Sequence, residues 1–179
     1  MNNKAKKILL ARKFTSIEYM SEYVQYFNEM VDALIVGMSE FKHLYQQNPT
    51  LDPDNFEDWE NRGLPNLQRG AKNAKECLER AKNGSLTGIS SSAGNLRGLS
   101  KDVDNIGGFG QWWQHIDKKF ADAFDSALNK AQITGNNIDY TISGYWDNDE
   151  ILDEEITGTI DEDELLNYLK TSEKIKDIS

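Results

Sequence analysis

One long run of regularly spaced apolar residues constrains the fold of this chain more than any other feature. The run alternates steps of three and four residues through Ile17, Met20, Val24, Phe27, Val31, Leu34, Met38, Phe41 and Tyr45. Such spacing places the side chains on one face of an α-helix. Thr15 and Glu18 form a capping box at its start, and Asn48-Pro49 stops it. The sequence therefore predicts a helix over residues 16 to 47, about 48 Å long.

The apolar face of this helix is wider than the seam of a coiled coil. Tyr23, Met30, Gly37 and Leu44 flank the run where a zipper would carry paired charges. A wide face needs more than one neighbour, so the pattern favours the central helix of a bundle over a dimeric coiled coil. The choice between monomer and dimer stays open.

Two further helices are marked by the same periodicity. Pro65 opens the first, Gly84 closes it, and small apolar residues between them predict a helix over 65 to 83. Apolar spacing after Gly110 predicts another over 111 to 133. A short helix before Gly63 is expected to end there. Residues 85 to 110 hold six Gly and five Ser, which predicts a mobile loop with a short, marginal helix inside it.

Near the C-terminus, apolar residues recur at every second position instead of every third or fourth. Alternation through Ile138, Tyr140, Ile142, Gly144 and Trp146 predicts a strand, and residues 156 to 160 predict a second. The predicted fold is mainly α, a helical bundle around one long N-terminal helix, with a C-terminal β-hairpin and a short helix over 162 to 171. The expected organisation is a basic arm (1 to 13), the bundle (14 to 135), an acidic hairpin-helix module (136 to 171) and a frayed tail (172 to 179).

Charge is distributed very unevenly along the chain. The net charge is −10, yet residues 1 to 13 carry five bases and no acid, while residues 147 to 164 carry ten acids and no base. This balance repels nucleic acid, and crowded carboxylates are typical of a surface that a basic protein neutralises. The predicted partner-binding residues are Tyr145, Trp146, Asp147, Asp149, Glu150, Asp153, Glu154 and Glu155.

Two other interpretations of the same acidic run stay open. The basic residues 1 to 13 would neutralise it within the chain if they folded back onto it. A solvated hairpin tip followed by the charged first turn of a helix also accounts for its residues.

The sequence DEEITGTIDEDEL, residues 153 to 165, resembles the calcium loop of the EF-hand family. Asp153 takes position one, Gly158 position six, Asp161 position nine and Glu164 position twelve. The resemblance implies a calcium site made by Asp153, Asp161 and Glu164. Glu155 and Thr157 depart from the family pattern at positions three and five, and no entering helix is predicted. Calcium is the one cofactor that the sequence suggests.

Catalytic and zinc-binding patterns are not found. The chain has two His and one Cys, none at zinc-ligand spacing, and no residue is predicted to be catalytic. Adjacent Trp112 and Trp113 are not both expected to face one core, so one is predicted to be exposed. An enzyme with a site between the Gly-rich loop and Trp112 to His115 is therefore a further alternative.

The preferred interpretation is a small interaction protein. A short apolar run at Ile8 to Ala11 predicts neither a signal peptide nor a membrane span, and the single Cys77 fits a reducing compartment, so a cytoplasmic location is expected. We expect the chain to bind and neutralise a basic protein, as immunity proteins and inhibitors do, and not to be an enzyme.

Overall fold

Helices make up nearly all of the chain that the computed structural model describes, namely residues 3–51, 53, 55–105, 110–144 and 167. The helices are α1 (Asn3–Phe14), α2 (Ile17–Gln47), α3 (Phe56–Asp58), α4 (Leu64–Lys82), α5 (Thr87–Asn105), α6 (Gly110–Trp113) and α7 (Lys118–Ile142). A π-helical turn, Trp59–Gly63, joins α3 to α4. The prediction of a mainly α bundle around one long N-terminal helix is confirmed.

Four long helices form the body of the bundle. Helix α2 packs between α4 and α7, and α5 packs between the same two helices on the other side. Helix α2 runs antiparallel to α7: Gly37 of α2 meets Trp113 of α6, just before α7 begins, and Tyr23 near the start of α2 meets Gly135 in the second half of α7. Helix α1 lies against α7 and α2. This is the up-down arrangement expected of helices joined by short connections.

The predicted long helix is present as α2, with a different cap. Ser16, not Thr15, is the N-cap, and its hydroxyl accepts a hydrogen bond from the Tyr19 backbone N–H at 3.2 Å. Thr15 instead donates to the Ala11 carbonyl of α1 at 2.8 Å. Phe14 of α1 contacts Tyr19 of α2, with ring centroids 4.9 Å apart. The capping-box prediction is therefore wrong by one residue, because the hydroxyl of Thr15 is hydrogen bonded to the last turn of α1.

Helix α1 covers most of the predicted basic arm. Leu9, Leu10 and Phe14 are buried in the core, while Ile8 and Arg12 face outward. The helix therefore attaches the N-terminal bases to the body of the bundle. No described helix is both long enough and apolar enough to cross a membrane.

The Gly- and Ser-rich stretch is a helix, so the prediction of a mobile loop is wrong there. Helix α5 buries Ile89, Ala93 and Leu96. Its small residues permit close approach: a Cβ added at Gly88 would lie 3.4 Å from Cys77 Sγ of α4. Glycine weakens an isolated helix by about 1 kcal/mol per residue, so α5 depends on packing against α4 and α7 rather than on its own propensity.

The expected break at Gly63 is also absent. The chain stays helical from α3 through the π turn into α4, and the Leu64 N–H donates to the Trp59 carbonyl five residues earlier. Pro65 has no backbone N–H to donate, which suits a position where the regular i to i−4 hydrogen bonds of the α-helix are interrupted. The buried Trp59 ring lies over Gly63, where an added Cβ would come within 2.7 Å of it.

The strand predicted from Ile138 is wrong over its first half, because α7 continues to Ile142. Apolar and small residues at Ala131, Thr134 and Ile138 are buried at helical spacing, and the period of two beyond them is coincidental. Burial of one face outweighs the β-propensity of the β-branched residues. No strand occurs in the described ranges. The rest of the hairpin, the C-terminal helix apart from the helical Asn167, and the tail lie outside those ranges.

Aromatic rings fill one end of the bundle, which we call the aromatic end. It comprises Phe41, Phe56, Trp59, Trp112, Trp113 and Phe124. Trp112 is fully buried and Trp113 is 8% exposed, so the expectation that one of them is exposed is wrong. Helix α6 is a single short turn across the end of the bundle, and a segment in that position directs both rings inward.

Gly37 makes this arrangement possible, and we predict that Gly37→Ala destabilises the protein. A Cβ at Gly37 would lie 2.5 Å and 2.7 Å from two carbons of the buried Trp113 ring. We expect a loss of about 1–3 kcal/mol in the free energy of unfolding, the usual cost of overpacking, measured by urea denaturation.

Gly94→Ala is the matched control in α5. Its Cβ would meet Asp139 at 3.6 Å, an ordinary contact, and alanine is the better helix former. Equal stability of Gly37→Ala and the wild type would contradict the close contact with Trp113.

Candidate functional site

The predicted binding residues follow directly after the end of α7. Ser143 and Gly144 are exposed, and Gly144 has a positive φ of 77° that ends the helix. The eight predicted partner-binding residues and the predicted calcium ligands Asp153, Asp161 and Glu164 lie outside the described residues. Their arrangement is therefore still a prediction. The described residues show the surface from which they emerge and its charge.

The folded body is almost charge-balanced. Its described residues carry 17 bases and 16 acids. Residues 145 to 179 carry 12 acids and three bases, and the remaining two undescribed acids are Asp52 and Asp54. The net charge of −10 is therefore carried almost entirely by the chain that follows α7.

Buried polar side chains line the core at the end where α7 finishes. We call this group the polar layer; it consists of the buried Tyr19, Tyr23, Ser90, Ser92 and Asn137, together with the partly buried Asp139 at its edge. The Asn137 amide Nδ2 donates to the Tyr19 hydroxyl oxygen at 2.9 Å, which links α7 to α2. Polar groups in a core are costly unless they are hydrogen bonded, so these contacts specify how the helices align.

Tyr23 is at the centre of the polar layer. Its side chain is fully buried, and its hydroxyl lies 3.1 Å from Ser92 Oγ of α5. Burial raises the pKa of Tyr23 well above its ordinary value, Cys77 adds to the rise, and the hydrogen bond with Ser92 opposes it. The hydroxyl therefore stays protonated at any physiological pH.

Asp139 organises the outer part of the polar layer. The Ser90 hydroxyl of α5 donates to Asp139 Oδ1 at 2.8 Å, and the Ser143 hydroxyl donates to the same oxygen at 3.1 Å. The carboxylate thus joins α5 to the last turn of α7. Sequence analysis missed this pair, because Ser90 was assigned to a loop and Asp139 to a strand, 49 residues apart.

The Ser90–Asp139 pair is not a nucleophilic site of the familiar kind. A serine nucleophile needs a base such as histidine within hydrogen-bond reach. His115 lies at the aromatic end, with its ring 6.3 Å from that of Phe41, and His43 is exposed on the C-terminal half of α2. The geometry instead suits a structural role for Asp139 at the base of the acidic chain.

The described residues also bear on a metal site and on the predicted enzyme site. Within the described ranges, no group of three or more His, Cys, Asp or Glu is arranged to hold a metal ion. The predicted enzyme site needed an open Gly-rich loop beside an exposed Trp. Helix α5 replaces that loop and Trp112 is buried, so this pair of features does not form an open site.

Comparison of the chain with protein-family models, with curated proteins and with solved structures finds no match.

We predict that Tyr23→Phe lowers stability at neutral pH by about 1 kcal/mol, the usual contribution of one hydrogen bond. It should also weaken the loss of stability at alkaline pH. Because the folded-state pKa is raised, the contribution of neutral Tyr23 is complete below its ordinary pKa of 10.0 and is lost as pH rises through and above that value. Urea denaturation near pH 8 and pH 10.5 measures both effects.

Tyr45→Phe, which removes a half-exposed hydroxyl from the same helix, should retain the wild-type dependence on pH. An alkaline loss of stability equally steep in wild type and Tyr23→Phe would contradict a buried Tyr23.

Proposed function

We propose that this chain is a small interaction protein that binds a basic protein surface through its acidic segment, residues 145 to 164. By covering that surface, the chain neutralises its partner, as immunity proteins and inhibitors do. The observation that carries the proposal is the separation of charge between a balanced body of 17 bases and 16 acids and a segment with ten acids and no base. A cytoplasmic location is part of this proposal.

Separated charge favours recognition for a physical reason. Carboxylates crowded into one segment repel one another, and a cationic surface relieves that repulsion on binding. Opposite charge also steers the encounter and raises the rate of association. A balanced body adds little field of its own, so attraction is concentrated at one end of the molecule. Tyr145 and Trp146 supply the large rings that commonly anchor an interface.

The bundle contributes a firm attachment for the segment. The last turn of α7 is held to α5 through Asp139 and to α2 through Asn137. Helix α7 therefore presents the start of the segment, three residues past Ile142, from a packed end of the bundle. A fixed attachment limits the entropy that binding must remove.

We predict that neutralising the segment weakens binding much more than neutralising the body. The test variant carries Asp153→Asn, Glu154→Gln and Glu155→Gln. The control carries Glu57→Gln, Glu76→Gln and Asp125→Asn, three exposed acids of the bundle, and so has the same net charge. Proteins captured from the native cells with the wild type are purified, and binding is then measured by calorimetry at low and high salt.

The test variant should bind about tenfold or more weakly, and its affinity should depend less on salt, whereas the control should stay within about twofold of the wild type. Equal losses in the two variants would show that only total charge matters and would contradict the proposal. So would a wild-type affinity that is insensitive to salt.

A further inference from the structure

The outer face of α2 is a second surface with unusual chemistry. Its residues are Glu22, Gln25, Glu29, Asp32, Ile35, Val36, Ser39, Glu40 and His43. Glu22, Glu29, Val36 and His43 recur every seven residues and form a slowly winding stripe along the helix. All nine are exposed to solvent.

Two aliphatic side chains lie in the middle of this face. Ile35 is 39% exposed and Val36 is 50% exposed, and they are two of only four large apolar side chains that are exposed among the described residues. Asp32 and Ser39 are three or four positions from both, so the four side chains are neighbours and form one patch. Packing within the bundle does not account for Val36, because half of its surface stays exposed.

The charge around this patch has one sign. Helix α2 carries five acids and a single base, Lys42, which is paired with Glu60 at 2.6 Å. Within the described part of the chain, Glu22, Glu29, Asp32 and Glu40 form no ion pair. Lys130 of α7 approaches α2, but its Nζ lies over the Tyr26 ring, 5.5 Å from the centroid. An apolar centre with an acidic border is the complement of an apolar centre with a basic border.

We propose that the outer face of α2 docks a segment of the basic partner that carries aliphatic side chains among lysines or arginines. Ile35 and Val36 contact the aliphatic residues, while Glu29, Asp32 and Glu40 pair with the surrounding bases. The inference rests on the proposed function, because it gives the same partner a second contact. It explains why the exposed face of α2 has apolar residues at its middle and almost no base, which electrostatic attraction by the acidic segment does not require.

The probe is a synthetic amphipathic helix of leucine and lysine, titrated into the full chain labelled with ¹⁵N. The peptide should shift the amide signals of residues 25 to 43 more than those of α4. An Ile35→Ser, Val36→Ser double variant should bind it about fivefold or more weakly, because the aliphatic contact is lost. Ile8→Ser is the matched control: Ile8 is 47% exposed on α1, and its loss should leave the affinity within about twofold.

A second peptide with glutamine in place of leucine separates apolar contact from charge. The glutamine peptide should bind the wild type more weakly than the leucine peptide does. The two peptides should bind the double variant with nearly the same affinity. Unchanged affinity of the double variant for the leucine peptide would overturn the proposal. So would shifts confined to residues outside α2, or an absence of binding.

The acidic-segment variant distinguishes this proposal from the proposed function. If the acidic-segment variant no longer binds the peptide, and the amide signals of α2 do not shift when the peptide is added to the wild type, the segment binds the peptide and the α2 face does not. If the α2 signals move and the segment variant behaves like the wild type, the α2 face binds and the proposed function of the segment fails.

Discussion

Tyr23 holds the four long helices together at one level of the bundle. Its ring occupies the space left by Gly135 of α7, where an added Cβ would lie 3.1 Å away. Its hydroxyl is hydrogen bonded with Ser92 of α5, and Cys77 of α4 is close enough to influence its pKa. A shift of α2 or α5 along its axis would separate the Tyr23 hydroxyl from Ser92 and leave a buried hydroxyl without its partner, at a cost of about 1–3 kcal/mol. The register of the bundle depends on this residue.

The two ends of the bundle differ in chemistry, and this difference organises the molecule. The aromatic end is closed by α6 and packed with rings, with Trp113 resting on Gly37. The opposite end holds the polar layer, where Asp139 ties the last turn of α7 to α5. The acidic segment leaves from this polar end. The described body is nearly neutral, and the acids proposed to bind a partner lie in the chain that follows it.

The sequence predicts the helices whose apolar residues keep a period near 3.6, because α2, α4 and most of α7 bury a face along their whole length. The sequence pattern does not predict the conformation of segments whose structure is set by tertiary contacts. Helix α5 has poor intrinsic propensity and forms because Gly88 and Ala93 permit close packing. The end of α7 has β-branched residues but buries Ile138 as a helix. No local pattern reveals that Ser90 and Asp139 meet, since that contact joins two distant segments.

The proposed function requires that the charge of the acidic segment is left for a partner and is not neutralised by the chain's own bases. The most direct measurement is the free energy of unfolding in urea, an uncharged denaturant, at low and at high salt. If the segment has no internal partner, salt screens only repulsion among its carboxylates, and stability should stay constant or rise slightly. A fall in stability with salt that disappears when Asp153, Glu154 and Glu155 are changed to amides would show internal ion pairs and contradict the account.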